Sequence, residues 1–582
     1  AMFGKVRVLA GPATVAARQR PTDGPRRLYV HLGRPDFTVF GAAERVDAAS
    51  GRATTDWDAF LGGVRRSADW AVAQGAAGAL IGVYGEGAAL WPTARTRYAP
   101  RWDSGSALEG GLDPAPKDVL DLVCRVYARA GLGLVPAVVC DGVVPELDAL
   151  VAIGPAEAAG VVAVGRDGRP FVTDGSRSPH YNVLDPRVQR VVEGIVSELV
   201  GRLREAPAVD GVALVLSHDG WLHCPGVAAG LDDATFARFV ADAGPDVEPL
   251  ARPALGTGAG GRFAARAALV EGPLRDRWLA WREGVVAAFH ARLAEVVASG
   301  RERWNLYVMP STLFVAGRFA ERFRPHLTAE PRDADVLREL GLDPARITAH
   351  GRIVYVSPHV HGTGDDVCER GTVQQANRSL PLLRAAAGAA RAGALLLEQP
   401  LDVDVRDVAG HASFTAKPTE PIPLVALAGA AEARRSLAEA LIAIDAEVVF
   451  DAGLLHACVD EDDERCRQAL GMLPQPPLGM VPEAPAPLVV RAREGETGSW
   501  VSVVNAGGTP CQAVVAAASR PTAVVDAVTK AALPVAANGE ATIPLAPWEV
   551  RTVLFEGVDR ITAVQAVHCL LYTSDAADEE DS

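Results

Sequence analysis

Five acidic residues stand where a strand-like apolar run of the sequence gives way to polar residues. They are Glu86, Asp141, Asp219, Glu398 and Asp451. Because chemistry in alternating strand–helix folds collects at the carboxyl ends of the strands, side chains from distant parts of the chain would converge there. Two carboxylates at such an edge can divide acid–base work, one donating a proton while the other attacks or activates water. The alternative for each residue is a loop cap, a turn former or a salt-bridge partner.

A second group of chemically capable side chains surrounds His359 and His361, with Asp365 and Asp366 close behind. Alternation in an extended segment would put both imidazoles on one side, which is the geometry of a metal site. The usual HxH pattern on a first strand and the helical HExxH pattern are absent. Two histidines in a polar loop are more often hydrogen-bonded or in contact with substrate. We therefore predict no metal and no other cofactor, and keep a metal-dependent hydrolase as an alternative.

The composition limits the class of protein. The 582 residues carry a net charge of −15, with 49% hydrophobic and 22% charged residues, which argues against nonspecific nucleic-acid binding. No apolar run is long enough to span a membrane. Eight scattered cysteines without a CxxC pair predict free, mostly buried thiols. The first residues lack a signal-peptide pattern but look like a start in mid-sequence, so an export signal could have been lost and localisation stays open.

The elements that would position the acidic residues are eight apolar runs that alternate with helical patterns. The runs cover 28–32, 78–84, 132–139, 209–216, 305–309, 353–356, 394–397 and 447–450. Between the third and fourth runs, Asp185 can cap a helix over 186–204 that begins with Pro186. This alternation predicts a (β/α)8 barrel with long loops over residues 27–472.

The chain changes character beyond the predicted barrel. Prolines punctuate a predicted linker at 473–487, and short alternating runs with turn signals predict a small β-sandwich at 488–558. Residues 569–578 (CLLYTSDAAD) resemble a translated transposon-end sequencing adapter, so we expect the tail at 559–582 to be partly an artefact. Residues 1–26 are interpreted as a remnant of an upstream module.

Three segments carry a family resemblance. Residues 181–189 (YNVLDPRVQ), 210–214 (DGVAL) and 443–453 (AIDAEVVFDAG) resemble the glycosyl hydrolase family 10-like barrel proteins found largely in planctomycetes and cyanobacteria. The resemblance covers roughly residues 30–555. It implies a carbohydrate-active barrel with an accessory β domain and a poly- or oligosaccharide substrate. The barrel fold by itself does not imply a carbohydrate substrate, because the same fold carries many unrelated functions.

By analogy with related barrel glycosidases, the acid/base follows the fourth strand and the nucleophile follows the seventh, which favours Asp219 and Glu398. Those enzymes usually carry Asn-Glu after the fourth strand, where this chain has His218-Asp219. Because of that difference, a non-catalytic carbohydrate-binding or cell-surface protein is the alternative prediction. Substrate contacts are predicted for a further set of residues: Glu86, Trp91, Asp141, His218, Trp221, His359, His361 and Asp451. The two tryptophans would stack on sugar rings. Oligomeric state is not predicted.

Overall fold

The structure is a computed structural model of the chain. It describes residues 26–32, 40, 44–46, 53–55, 57–85, 87–96, 118–154, 159–171, 178–256, 261–311, 313, 333–360, 393–398, 402–404, 423–425, 430–452, 461–474, 476–481 and 484–568.

Eight parallel strands form a closed barrel. They are β1 (Arg27–Leu32), β2 (Gly78–Gly85), β3 (Gly133–Val139), β4 (Gly211–Leu216), β5 (Asn305–Pro310), β6 (Ile353–Val360), β7 (Gly393–Glu398) and β8 (Ala446–Ala452). Each strand pairs in parallel with the next along the chain, and β1 pairs with both β2 and β8, which closes the sheet. The prediction of a (β/α)8 barrel is therefore confirmed, and its eight strands are the eight predicted runs.

Helices lie between the strands and cover the outside of the barrel. They are α1 (Trp57–Ala73), α2 (Val119–Arg129), α3 (Pro145–Ile153), α4 (Pro186–Leu203), α5 (Asp233–Asp242), α6 (Glu248–Leu255), α7 (Gly261–Glu271), α8 (Arg275–Ala298), α9 (Asp333–Glu339), α10 (Pro344–Thr348), α11 (Ala430–Ala443) and α12 (Glu461–Met472). Helix α4 begins as predicted, because Asp185 accepts a hydrogen bond from the backbone N–H of Arg187 and Pro186 occupies the first helical position.

Alternate residues of the strands fill the barrel interior. The interior cluster contains Tyr29, Leu80, Val135, Ala137, Ala213, Val215, Tyr307, Met309, Val356, Ala394, Leu396, Val448 and Phe450. Phe450 packs on both tyrosine rings, with centroid distances of 5.5 Å to Tyr29 and 5.4 Å to Tyr307. At the amino-terminal end, the Tyr29 hydroxyl donates to Asp210 Oδ2 at 2.8 Å. The interior is thus a packed core rather than a channel, and in barrels of this kind the active site lies at the carboxyl-terminal end.

Eight strands form the β domain that follows the barrel. They are β9 (Gly479–Met480), β10 (Leu488–Gly495), β11 (Gly498–Asn505), β12 (Cys511–Ala517), β13 (Ala523–Asp526), β14 (Ala541–Leu545), β15 (Val550–Glu556) and β16 (Ile561–His568). Two antiparallel sheets, β9-β10-β11-β15-β13 and β14-β12-β16, enclose one hydrophobic core. The predicted β-sandwich is confirmed.

The β domain is longer than the predicted span of 488–558. Strand β9 lies inside the predicted linker and pairs with β10, and β16 lies inside the predicted tail and pairs with β12. In β16 Ile561 and Val564 belong to the core of the sandwich, which explains why this part of the tail is ordered as a strand. The segments 1–25 and 569–582 lie outside the described residues.

Two further expectations concern the described part of the chain. None of its helices has the length and apolar character needed to cross a membrane. Four of the eight cysteines, Cys124, Cys140, Cys224 and Cys511, are buried and form no disulfide bond among the described residues, as predicted for these positions.

Helix α8 carries a histidine inside the protein. His290 is fully buried, its Nδ1 lies 3.0 Å from the carbonyl oxygen of Val286, and its Nε2 has no hydrogen-bond partner among the described residues. Burial lowers the pKa of His290 from 6.5 to about 4, and the bond to Val286 opposes this shift only in part. His290 is therefore neutral in the folded protein at neutral pH.

This shift predicts a loss of stability in mild acid. The unfolded chain binds a proton at residue 290 below pH 6.5, whereas the folded chain binds it only near pH 4. The contribution of neutral His290 to the free energy of unfolding is therefore fully present above pH 6.5 and is lost as the pH falls towards 4. Between pH 7.5 and 4.5 the contribution is about 2–3 kcal/mol. Urea unfolding of wild type and His290→Leu at both pH values measures it. We expect the unfolding free energy of the variant to fall by that much less than that of wild type between the two pH values. A difference in unfolding free energy that is the same at both pH values would contradict a lowered pKa of His290.

Candidate active site

Asp219 and Glu398 lie at the same end of the barrel. Glu398 is the last residue of β7, and Asp219 follows β4 by three residues. Because all eight strands are parallel and the sheet is closed, the ends of β4 and β7 belong to one rim. The arrangement with these residues at opposite mouths of the barrel is therefore excluded.

Glu398 points into the mouth of the barrel. Ala394 and Leu396 belong to the interior cluster, so alternation along β7 directs Glu398 to the same side. Its side chain is only 3% exposed. The hydroxyl Oγ of Ser311 donates a hydrogen bond to Glu398 Oε1, so the carboxylate is held by a neutral donor. A buried carboxylate at the mouth of a barrel, with one oxygen bound by a hydroxyl, is suited to chemistry on a bound ligand.

Ser311 connects the β7 carboxylate to the fourth and fifth strands. It follows β5 directly, and its backbone N–H donates to the carbonyl oxygen of Leu216 at 2.9 Å, which continues the β4–β5 pairing. The same register puts Ser217 beside Ser311 on the inner side of the sheet, since Ala213 and Val215 both face inward. The hydroxyl of Ser217 is buried and has no hydrogen-bond partner among the described residues.

Asp219 sits in a tight turn at the end of β4. The backbone N–H of Gly220 donates to the carbonyl oxygen of Ser217 at 3.2 Å, so His218 and Asp219 are the two central residues of the turn. Both side chains are half-buried. The next residue, Trp221, donates its backbone N–H to the carbonyl oxygen of Cys140 at 2.9 Å, which ties the turn to the end of β3.

Asp141 is the third acidic residue at this part of the rim. Val135, Ala137 and Val139 line the interior, so alternation continued beyond β3 points Asp141 inward as well. A side-chain carbon built on Gly85 would lie 3.7 Å from Asp141 Oδ1, so the carboxylate reaches across the end of β2. Asp141, the His218–Asp219 turn and Glu398 therefore all belong to the carboxyl-terminal rim of the barrel.

Asp451 and His359 face the other way. Phe450 of β8 and Val356 of β6 point into the barrel, and alternation puts Asp451 and His359 on the outward side, towards the helices. Both are 2% exposed, and both are in register with Leu397, which packs against α11. The sequence predicts substrate contacts for both residues because both stand near the ends of apolar runs. Their contact with substrate stays a prediction that this geometry does not favour.

The two tryptophans predicted to stack on sugar rings are buried. Trp91 and Trp221 are each 1% exposed. The indole N–H of Trp91 donates to Glu198 Oε1 at 2.9 Å, and that of Trp221 donates to the carbonyl oxygen of Gly142 at 3.2 Å. A stacking platform has to offer a ring face to the ligand, and these indoles pack against protein instead. Trp221 holds the β3 and β4 ends together, which gives it a structural part in the site.

Two predicted site residues, Glu86 and His361, lie outside the described residues, as do Asp365 and Asp366. Within the described ranges no three histidine, cysteine or acidic side chains form a group that could hold a metal ion.

Sequence reasoning missed Ser311 and Ser217. A lone serine after a strand carries no motif, and many serines occupy such positions. The available signal was position: each serine continues the two-residue alternation of inward side chains by one step beyond its strand. The same continuation at β7 ends in Glu398, so the period of two identifies the inner rim once the structure gives the phase of each strand.

No family model matches the chain, and no curated protein matches it. Solved structures do match. An Anoxybacillus α-amylase is 11% identical, covers 93% of this chain and 99% of its own, and has a TM-score of 0.41. The glycoside hydrolase domain of PgaB (BpsB) from Bordetella bronchiseptica is 13% identical, with 77% and 99% covered and a TM-score of 0.43. The acarbose complex of a Geobacillus thermoleovorans α-amylase is 10% identical, with 91% and 98% covered and a TM-score of 0.45.

Proposed function

We propose that the protein is a glycoside hydrolase or transglycosidase acting on a poly- or oligosaccharide at the carboxyl-terminal rim of its barrel. The observation that carries the proposal is Glu398, a buried residue, 3% exposed, whose carboxylate points into the barrel mouth and accepts a hydrogen bond from Ser311. A buried acidic side chain at the carboxyl-terminal end of a barrel strand stands where the functional residues of such barrels lie, which favours a functional reason for it.

The proposed chemistry divides between two carboxyl groups. Asp219 protonates the glycosidic oxygen as its bond to the anomeric carbon breaks. Glu398 either attacks that carbon, forming an ester that water or a sugar hydroxyl later displaces, or removes a proton from the attacking water. An aspartate has a shorter reach than the glutamate usual after the fourth strand. The turn from Ser217 to Gly220 compensates by lifting Asp219 beyond the end of β4.

Asp141 and His218 complete the proposed site as substrate-contacting residues. Both are half-buried; His218 precedes Asp219 in the same turn, and Asp141 follows the neighbouring strand β3 on the same rim. A carboxylate accepts hydrogen bonds from sugar hydroxyls, and an imidazole can donate or accept them. Asp141, His218 and Glu398 give the carboxyl-terminal rim hydrogen-bonding groups that suit a neutral, hydroxyl-rich ligand.

The proposed function is tested by incubating the purified protein with a panel of polysaccharides and measuring new reducing ends. We expect cleavage or transfer on at least one glycan. Binding to a glycan array without product after long incubation would instead identify the non-catalytic carbohydrate-binding protein. Metal analysis of an active preparation tests the third possibility, because activity in metal-free protein would reject a metal-dependent hydrolase.

Asp219→Asn tests the proposed acid. On a natural glycan we expect kcat/KM to fall about 10²-fold, because the leaving oxygen departs without a proton. An aryl glycoside with an acidic phenol leaving group needs no such proton, so there the loss is expected to shrink to a few-fold. Equal losses on both substrates would contradict the acid role and leave Asp141 as the residue to test next.

A further inference from the structure

The carboxylate of Glu398 accepts a hydrogen bond from a residue outside β7. Its partner, Ser311, stands two strands away around the barrel, at the end of β5, with β6 between them. The hydrogen bond thus spans the end of β6 on the inner side of the rim. Ser311 is 9% exposed and Glu398 is 3% exposed, so the bond lies away from bulk water.

The backbone of Ser311 is fixed as well. Its N–H donates to the carbonyl oxygen of Leu216 at 2.9 Å, one residue before the turn that carries Asp219. Two bonds, one from the backbone and one from the side chain, therefore link the end of β4 to the carboxylate of β7 through a single residue. Movement of either strand end would break one of them.

We propose that Ser311 is a positioning residue that fixes the Glu398 carboxylate relative to the Asp219 turn and favours its charged form. The inference rests on the proposed function for the role of Glu398, and it adds how that residue is oriented and kept ionised. A hydrogen bond donated to a carboxylate stabilises the anion over the acid, which matters in a site that excludes water. A nucleophile or base has to be ionised to act.

Ser217 provides a matched control for Ser311. Both serines follow a strand directly, both are on the inner side of the sheet, and both are largely buried. They differ in that the Ser217 hydroxyl has no partner among the described residues, whereas the Ser311 hydroxyl binds Glu398. Removing each hydroxyl in turn separates loss of the Glu398 bond from loss of a buried serine.

The first experiment measures kcat/KM against pH for wild type, Ser311→Ala, Ser311→Thr and Ser217→Ala on a cleaved glycan. For Ser311→Ala we expect a fall of about tenfold near neutral pH and an acidic limb displaced upward by about half a pH unit or more. Ser311→Thr keeps the hydroxyl, so its acidic limb of kcat/KM is expected at the pH found for wild type. Ser217→Ala is expected to leave the acidic limb at that same pH. A limb that stays fixed in Ser311→Ala would overturn the inference.

The second experiment needs no activity. Urea midpoints are measured for wild type, Ser311→Ala, Glu398→Ala and the double variant at neutral pH. If the bond exists, the midpoint shifts of the single variants do not add up to that of the double variant. Additive shifts would overturn the inference even if the enzyme is active. Non-additive shifts in a protein that cleaves no glycan would leave the contact standing and reject the proposed function instead.

Discussion

Glu398→Gln is expected to reduce kcat/KM by at least about 10³-fold on any glycan that the wild type cleaves. The amide has nearly the same size and can still accept the Ser311 hydrogen bond, but it can neither attack the anomeric carbon nor take a proton from water. Unlike Asp219→Asn, the loss should be as large on an aryl glycoside as on a natural glycan. The reason is that the missing group acts on the carbon rather than on the leaving oxygen.

Glu205→Gln is the control for this substitution. Glu205 is exposed and precedes β4, at the amino-terminal end of the barrel. Conserved turnover in Glu205→Gln together with its loss in Glu398→Gln would localise the effect to the carboxyl-terminal rim. Unchanged turnover in Glu398→Gln would remove the residue from the mechanism.

Asp445→Ala is expected to destabilise the fold by about 3–5 kcal/mol, because it leaves the buried Arg26 without its counter-ion. Arg26 is 4% exposed, and its guanidinium lies 2.6 Å from Asp445 Oδ1. It also donates to the carbonyl oxygens of Ala446 and Pro474, each at 2.9 Å. Burial lowers the pKa of Arg26, and the charge of Asp445 opposes that shift. The other carboxylate oxygen of Asp445 accepts the backbone N–H of Leu478 at 2.6 Å.

This pair therefore joins the residue before β1, the start of β8 and the segment that leads into the β domain. Asp246→Ala is the matched control, because Asp246 pairs with Arg277 at 2.6 Å with both side chains exposed. We expect that substitution to change stability by no more than about 1 kcal/mol. Urea unfolding followed by tryptophan fluorescence compares the two. Similar losses for both variants would contradict the claim that burial makes the Arg26 pair costly to break.

The barrel could be predicted from the sequence because its strands are buried on both faces. Runs such as residues 209–216 and 394–397 are wholly or almost wholly apolar, and polar residues mark where each strand stops. The β-sandwich was predictable from its alternating runs and turn residues. Strand β16 was not predicted, because its core residues Ile561 and Val564 are three positions apart, across an irregularity in the pairing with β12, and so show no period of two in the sequence.

The site was less predictable than the fold, because the side to which a strand-end residue points depends on the phase of the pleat. The phase directs Glu398 inward and Asp451 outward, although both lie at ends of apolar runs. The sequence shows the runs but not the phase, because residues of both faces are apolar in a buried parallel strand. Burial of Trp91 depends on a contact with Glu198 of α4, which no local pattern encodes.

The decisive measurement is the distance between the carboxyl groups of Asp219 and Glu398 in a crystal of the protein with a bound oligosaccharide. Two carboxylates that share one glycosidic bond are expected to stand about 5–5.5 Å apart for a retaining enzyme, or about 6.5–9.5 Å apart for an inverting one. A value in either range, with the anomeric carbon between the two groups, is the predicted result. A separation well beyond about 9.5 Å, or a sugar bound away from Glu398, would contradict the proposal that these two residues cleave it.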